Sequence, residues 1–203
     1  MSPLAVILIV CSSIVFSTCW GLANRHQVSF IKLATCQEYD VESKSCQHYF
    51  PIDIFKNNES KEYKLNLKFY VMAKNDANIV LSNSQGKGTV QYTIVVGGAD
   101  NTYSWLRNTS DTTVGLDSHT PGLLSPLFPT PVIVRQKHNG QVEVSVPGIT
   151  DPLLRADAAD LEVQSICFYA WNTQSRWFYN CAEKEDSCSV VKRNCAQLNS
   201  RKN

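Results

Sequence analysis

This chain has no basic block. Its 19 Lys and Arg stand against 18 Asp and Glu, a formal charge of +1 over 203 residues. A surface that tracks phosphates needs clustered cations, so nucleic acid is excluded as a partner. No G-x-G-x-x-G turn occurs, and no G-x-S-x-G nucleophile elbow, so neither the usual dinucleotide cradle nor an α/β-hydrolase serine is written into the chain. There are no paired C-x-x-C knuckles, and His26, His48, His119 and His138 are scattered. No metal site is therefore expected. A 3.6-residue apolar stripe of useful length is missing too, which excludes a helical bundle. Beyond residue 23, no segment is apolar enough to cross a bilayer, which takes about 20 such residues.

What is present begins with an apolar run, Pro3 to Phe16, followed by the small residues Gly21-Leu22-Ala23. This reads as a signal peptide over 1–23, although its first residues carry no Lys or Arg. Removing it leaves Cys36, Cys46, Cys167, Cys181, Cys188 and Cys195. An even number in a secreted chain predicts three disulfides. The sequons Asn58-Glu59-Ser60 and Asn108-Thr109-Ser110 fall in polar, turn-like sequence and are expected to carry glycans.

The chain is organised around 65–108. Leu65, Leu67, Phe69 and Val71 alternate with Asn66, Lys68, Tyr70 and Met72, the period of a half-buried strand. Asn75-Asp76 breaks the pattern, Ala77 to Leu81 runs apolar, and Val90, Tyr92, Ile94 and Val96 alternate again. Gly97 to Asn101 turns the chain into a further strand ending at Arg107. Upstream, Val28 to Ala34 is expected to be the first strand. Thr109 to Pro131 is loop-rich, its prolines excluding long helices. From 131 to 147 the sequence predicts a hairpin with the three-residue loop His138-Asn139-Gly140. That register sets Val134 opposite Val144 and Arg135 opposite Glu143; a slip by one residue would invert both faces. A second hairpin is expected over Leu161 to Cys181 with a loop at 172–176. It places Trp171 opposite Trp177, Tyr169 opposite Tyr179, and pairs Cys167 with Cys181 as a disulfide. A bridge between Cys36 and Cys46 would close a small loop. Cys188 and Cys195, about 10 Å apart if helical, could not bridge each other there.

Short strands and frequent turns together predict an all-β antiparallel sandwich. The order FYVMAKNDANIVLS, then YTIVVGG, then N-x-x-S-x-x-R resembles the farnesoic acid O-methyltransferase-like domain of animals. The resemblance covers roughly 61–181 and also takes in Thr120-Pro121-Gly122 and the 131–147 hairpin. It implies a jelly-roll-like sandwich, here with disulfide-bonded N- and C-terminal flanks outside the family pattern. The expected organisation is a signal peptide (1–23), a strand and cysteine flank (24–60), the sandwich (61–181) and a cysteine-containing tail (182–203).

The family name implies methyl transfer from S-adenosylmethionine to farnesoic acid. Here Gly97-Gly98 follows a strand, but the next segment does not start a helix, so it reads as a turn between antiparallel strands. No cofactor is expected. Asp117-Ser118-His119 are adjacent in a loop, whereas triads assemble across a fold. Asp151, Asp157, Asp160 and Glu162 read as solvated loop charges. Recognition without catalysis fits better, because sandwich modules bind through end loops or an exposed sheet face. Candidate ligand-binding residues are Asp76, Asn78, Asn101, Ser104 and Arg107, with Trp171 and Trp177 beside a loop. The plainer alternative gives Asp76 and Asn101 turn hydrogen bonds and Arg107 a carboxylate partner. Trp105 is assigned to the core. The expected ligand is an extracellular carbohydrate or protein. The alternatives are the methyltransferase of the family name and a structural or hormone-like secreted factor.

Overall fold

The structure is a computed structural model that describes residues 30–149, 151–171 and 173–182. The expected signal peptide, Cys188 and Cys195 lie outside these residues. Twelve antiparallel strands form one continuous sheet in the order β1-β12-β3-β8-β9-β10-β7-β6-β5-β4-β11-β2. This sheet folds over at β7 into two layers. Sheet I holds β1 (Gln37–Val41), β12 (Ser175–Tyr179), β3 (Tyr63–Ala73), β8 (Thr130–Lys137), β9 (Gln141–Ser145) and β10 (Leu154–Asp157). Sheet II holds β7 (Thr113–His119), β6 (Tyr103–Arg107), β5 (Gln91–Gly97), β4 (Ala77–Ser82), β11 (Ser165–Ala170) and β2 (Tyr49–Pro51). The all-β sandwich expected from the sequence is the fold observed.

Alternation decides which residues fill the space between the layers. Leu65, Leu67, Phe69 and Val71 point inward from β3, and Ile79, Leu81, Ile94 and Val96 meet them from sheet II. An aromatic cluster of Phe50, Phe55, Phe69, Phe168, Trp177 and Tyr179 fills the β1–β2 end of this core. Phe168 stacks on Trp177 at 4.7 Å between ring centroids.

The 131–147 hairpin has the expected register: Val134 faces Val144 and Arg135 faces Glu143. Gly140 takes φ +90°, as the three-residue loop requires, and its N–H donates to the Lys137 carbonyl. The charge partners differ from the expected Arg135–Glu143 pair. Glu143 receives Lys137 Nζ and Arg155 Nε, each at 3.0 Å, while Arg135 lies 3.8 Å from Asp151.

Four expectations are corrected. Phe30–Leu33 forms a single helical turn, α1, where a first strand was expected; Leu33 drops onto Tyr70 and Phe178 on the outer surface of sheet I. The loop-rich 109–131 stretch contains β7, whose residues are mostly exposed and so lack an alternating apolar signal. The second hairpin does not form. β11 pairs with β4 and β2 in sheet II, while β12 pairs with β3 and β1 in sheet I. Local pattern could not reveal this, because both strands have apolar inner faces that suit either sheet. With the hairpin goes its disulfide: Cys167 bonds Cys46, and Cys181 bonds Cys36. Each bridge joins an N-terminal segment to a C-terminal one, Cys167 within β11 and Cys181 just after β12, so Cys36 and Cys46 do not pair with each other.

Candidate functional site

On the outer surface of sheet II, polar and aromatic side chains gather with no cover among the described residues. Adjacent strands set them in cross-strand rows. One row runs Tyr169, Asn78, Val95, Trp105 across β11, β4, β5 and β6. The next runs Tyr49, Cys167, Val80, Thr93, Arg107 from β2 to β6. All belong to the opposite phase from the core residues of the same strands. Loops rise on both sides of these rows and enclose a cleft of about 870 Å³. Lys44, Ser45 and Cys46 form one wall, and Trp105, Arg107 and Asp111 another.

The Cys46–Cys167 bridge fastens the first wall to the floor. The Ala170 N–H donates to the Ser43 carbonyl at 3.0 Å and holds the same loop from its other end. At the opposite side, the Trp105 indole lies over Gly98, where any β-carbon would run into the ring. Arg107 extends above Trp105, its guanidinium carbon 5.3 Å from the ring centre, and donates to Asp111 Oδ1 at 3.0 Å. Among the described residues, the buried Trp105 indole N–H has no hydrogen-bond partner.

Asp76 marks one end. It adopts φ +50°, a conformation Asp tolerates better than most residues, and its N–H donates to the Gly97 carbonyl at 2.8 Å. Its own carbonyl accepts from Asn78 Nδ2 at 2.7 Å and from the Trp171 N–H at 3.2 Å. Three segments are thus tied at one residue. Burial pushes the Asp76 carboxyl above the ordinary carboxylate range, nearby Asp100 pushes it the same way, and Arg107 opposes both. Burial also raises the Tyr169 phenol, with Arg107 again acting in opposition. At the other end, Gln91 Nε2 donates to the Tyr49 hydroxyl at 3.0 Å.

The structure divides the candidate residues. Asp76, Asn78, Arg107 and Trp171 line the cleft. Asn101 instead clamps the proline loop, exchanging two hydrogen bonds with the backbone of Leu124. Ser104 is buried, its hydroxyl accepting from the Gly97 N–H and lying 2.9 Å from Thr120 Oγ1. Trp177, expected beside a loop, is fully buried in the core and donates to Ser175 Oγ. Trp105, expected in the core, sits on the cleft wall. Tyr49, Tyr169, Thr93, Gln91, Lys44 and Lys87 were not singled out. The strand phase of Tyr169 and Thr93 carries a signal, but only the non-local pairing of β11 with β4 brings them together. Of the sequons, Asn58 is exposed and Asn108 is half-buried, next to Arg107.

The Gly97-Gly98 turn does not fit S-adenosylmethionine. Gly98 is covered by Trp105, and a β-carbon on Gly97 would lie 2.7 Å from Leu124. Ala99, Asp100 and Asn101 continue the chain in left-handed conformation rather than opening a helix toward a ligand. Among the described residues, no group of three or more His, Cys, Asp or Glu is placed to hold a metal, and no helix is long and apolar enough to cross a membrane.

No curated protein matches this chain. Among solved structures, it is similar to the carbohydrate binding module CBM66 from Bacillus subtilis, at 11% identity and a TM-score of 0.41, covering 60% of this chain and 74% of that one. It is also similar to a Bacillus licheniformis β-glucanase, at 13% identity and a TM-score of 0.43, covering 80% and 84%. The family model described as farnesoic acid O-methyl transferase matches residues 43–183. The match takes in Cys46, Cys167 and Cys181, so the bridge in the cleft wall lies inside the family's span rather than in a flank outside it. With more than half of its length matched, the chain belongs to the farnesoic acid O-methyl transferase domain family.

Proposed function

We propose that this chain is an extracellular, non-catalytic recognition domain whose sheet II cleft binds a carbohydrate. The observation that carries this reading is the make-up of the cleft. Rings from Tyr49, Trp105, Tyr169 and Trp171 alternate with the hydrogen-bonding side chains of Asn78, Gln91, Thr93 and Arg107. A sugar presents an apolar ring face edged by hydroxyls, and amphipathic aromatic rings beside planar amide and guanidinium groups complement both. Two disulfides suit an oxidising compartment.

A glycan array probed with the oxidised chain tests this, with Trp105→Ala as the comparison. A saccharide hit weakened about tenfold or more by Trp105→Ala, at unchanged thermal midpoint, is the expected result. Absence of any saccharide binding by the folded chain, or a hit indifferent to Trp105→Ala, overturns the reading.

A further inference from the structure

The ends of the cleft differ from its middle. The middle is aromatic and neutral, whereas each end carries a lysine. Lys44 belongs to the β1–β2 loop, which the Ala170–Ser43 hydrogen bond sets at the Trp171 end. Lys87 belongs to the β4–β5 loop, beyond the Ser82–Gln91 pair, at the opposite end. The six residues of β4 lie between them, roughly 17 Å of strand. Both lysines are exposed, and among the described residues neither has an ion-pair partner.

The carboxylates of the cleft do not balance these cations. Asp111 is held by Arg107 at 3.0 Å, so that pair is neutral together. Among the described lining residues Asp76, at the same end as Lys44, is the single remaining carboxylate, against two lysines. The opposite surface behaves differently: there Arg176 meets both Glu38 and Asp40, and Glu143 meets Lys137 and Arg155. Among the described residues, every ion pair except Arg107–Asp111 involves a sheet I strand, although Lys68 on β3 has none, and neither cleft lysine has one.

We infer that the ligand is an acidic oligosaccharide, lying along the strands with anionic groups at Lys44 and Lys87 and sugar rings over the aromatic middle. This rests on the carbohydrate reading of the same cleft and narrows it. The spacing of the two lysines asks for an oligomer rather than a single sugar. Their exposure makes the attraction screened by salt, while the aromatic contacts are not. Sulfate esters and uronate carboxylates share the required chemistry, and the probes below separate them.

The test measures affinity of the full oxidised chain for three probes of matched length: a heparin hexasaccharide, an oligogalacturonate and neutral maltohexaose. Affinity for one or both acidic probes is expected to exceed that for the neutral one by about tenfold or more at low salt, and to fall steeply between about 50 mM and about 500 mM NaCl. Lys44→Glu/Lys87→Glu should abolish the preference, whereas Lys68→Glu, on the other sheet, should leave it intact. The arm that binds tells sulfate from carboxylate. Equal affinity for neutral and acidic probes, or a preference indifferent to the lysine pair, overturns the inference while leaving the carbohydrate reading standing. Loss of all saccharide binding on Trp105→Ala, together with lysine dependence, supports both. No binding to any saccharide overturns both.

Discussion

The two outer surfaces of the sandwich are built from the same alternation and finished in opposite ways. On sheet I, α1 lays Leu33 over Tyr70 and Phe178, and the Cys36–Cys181 bridge seals that patch. Along β12, β8 and β9 charges meet partners, such as Arg176 with Glu38 at 2.9 Å, although Lys68 on β3 has no carboxylate partner among the described residues. On sheet II, the Cys46–Cys167 bridge raises a wall beside the sheet, and the described residues leave the strands open with aromatic rings on them. One bridge closes a surface, and the other shapes one. A face whose polar groups are already paired has little left to offer a ligand.

The largest effects should come from the bridges themselves. They span 145 and 121 residues, so loop closure alone assigns each about 4–5 kcal/mol, with measured losses commonly about 2–5 kcal/mol. Cys36→Ala/Cys181→Ala and Cys46→Ala/Cys167→Ala should therefore lower stability by similar amounts in urea denaturation. Binding should separate them. The folded fraction of the first variant keeps full affinity for the ligand, while the second, with Lys44 and Ser45 no longer tethered, loses it. If both variants bind alike, the division of labour between the two surfaces is wrong.

How much of this was legible beforehand follows from the range of the interactions. The 131–147 hairpin was readable to the residue, because its register is set by a local turn and by Val134 against Val144. The fold class followed from the same short-range alternation. The disulfides and half of the site were not legible, since they depend on which sheet β11 and β12 join. Cys167 and Trp177 are ten residues apart in sequence and belong to different layers. The motif shared with the family singled out Asn78 and Arg107, but the apolar run at 77–81 has no alternation that sets them on one surface. It could not tell that Trp105 would face outward over Gly98 while Trp177 turned into the core.

Trp177 and Trp171 sharpen the comparison, since six residues separate a core ring from a cleft ring. Trp177 is fully buried, and Trp171 is 53% exposed. Trp177→Ala should cost about 3–5 kcal/mol of stability through the cavity it leaves against Phe69 and Phe168. Trp171→Ala should stay within about 0.5 kcal/mol of the parent. Calorimetry reads the stability difference, and ligand titration should show the reverse order among the molecules that remain folded. A large stability loss at Trp171 would mean that this end of the cleft is structural.

The smallest effect isolates the strain of keeping an acid in the cleft. The Asp76 carboxyl is raised above its ordinary 3.8, chiefly by burial and then by Asp100. The folded chain therefore binds this proton more tightly than the unfolded chain does. Stability from this group is fully present below 3.8 and is lost as pH rises through the raised value. At neutral pH Asp76 is a charge the fold disfavours. Asp76→Asn keeps a residue that tolerates the left-handed backbone and keeps the main-chain bonds to Gly97, Asn78 and Trp171. It should raise the thermal midpoint slightly at neutral pH, with the gain vanishing below 3.8, where both side chains are neutral. A gain that persists in acid would place its origin in local packing instead of charge. A loss at neutral pH would mean that attraction to Arg107 outweighs burial, making Asp76 part of a paired surface like that of sheet I.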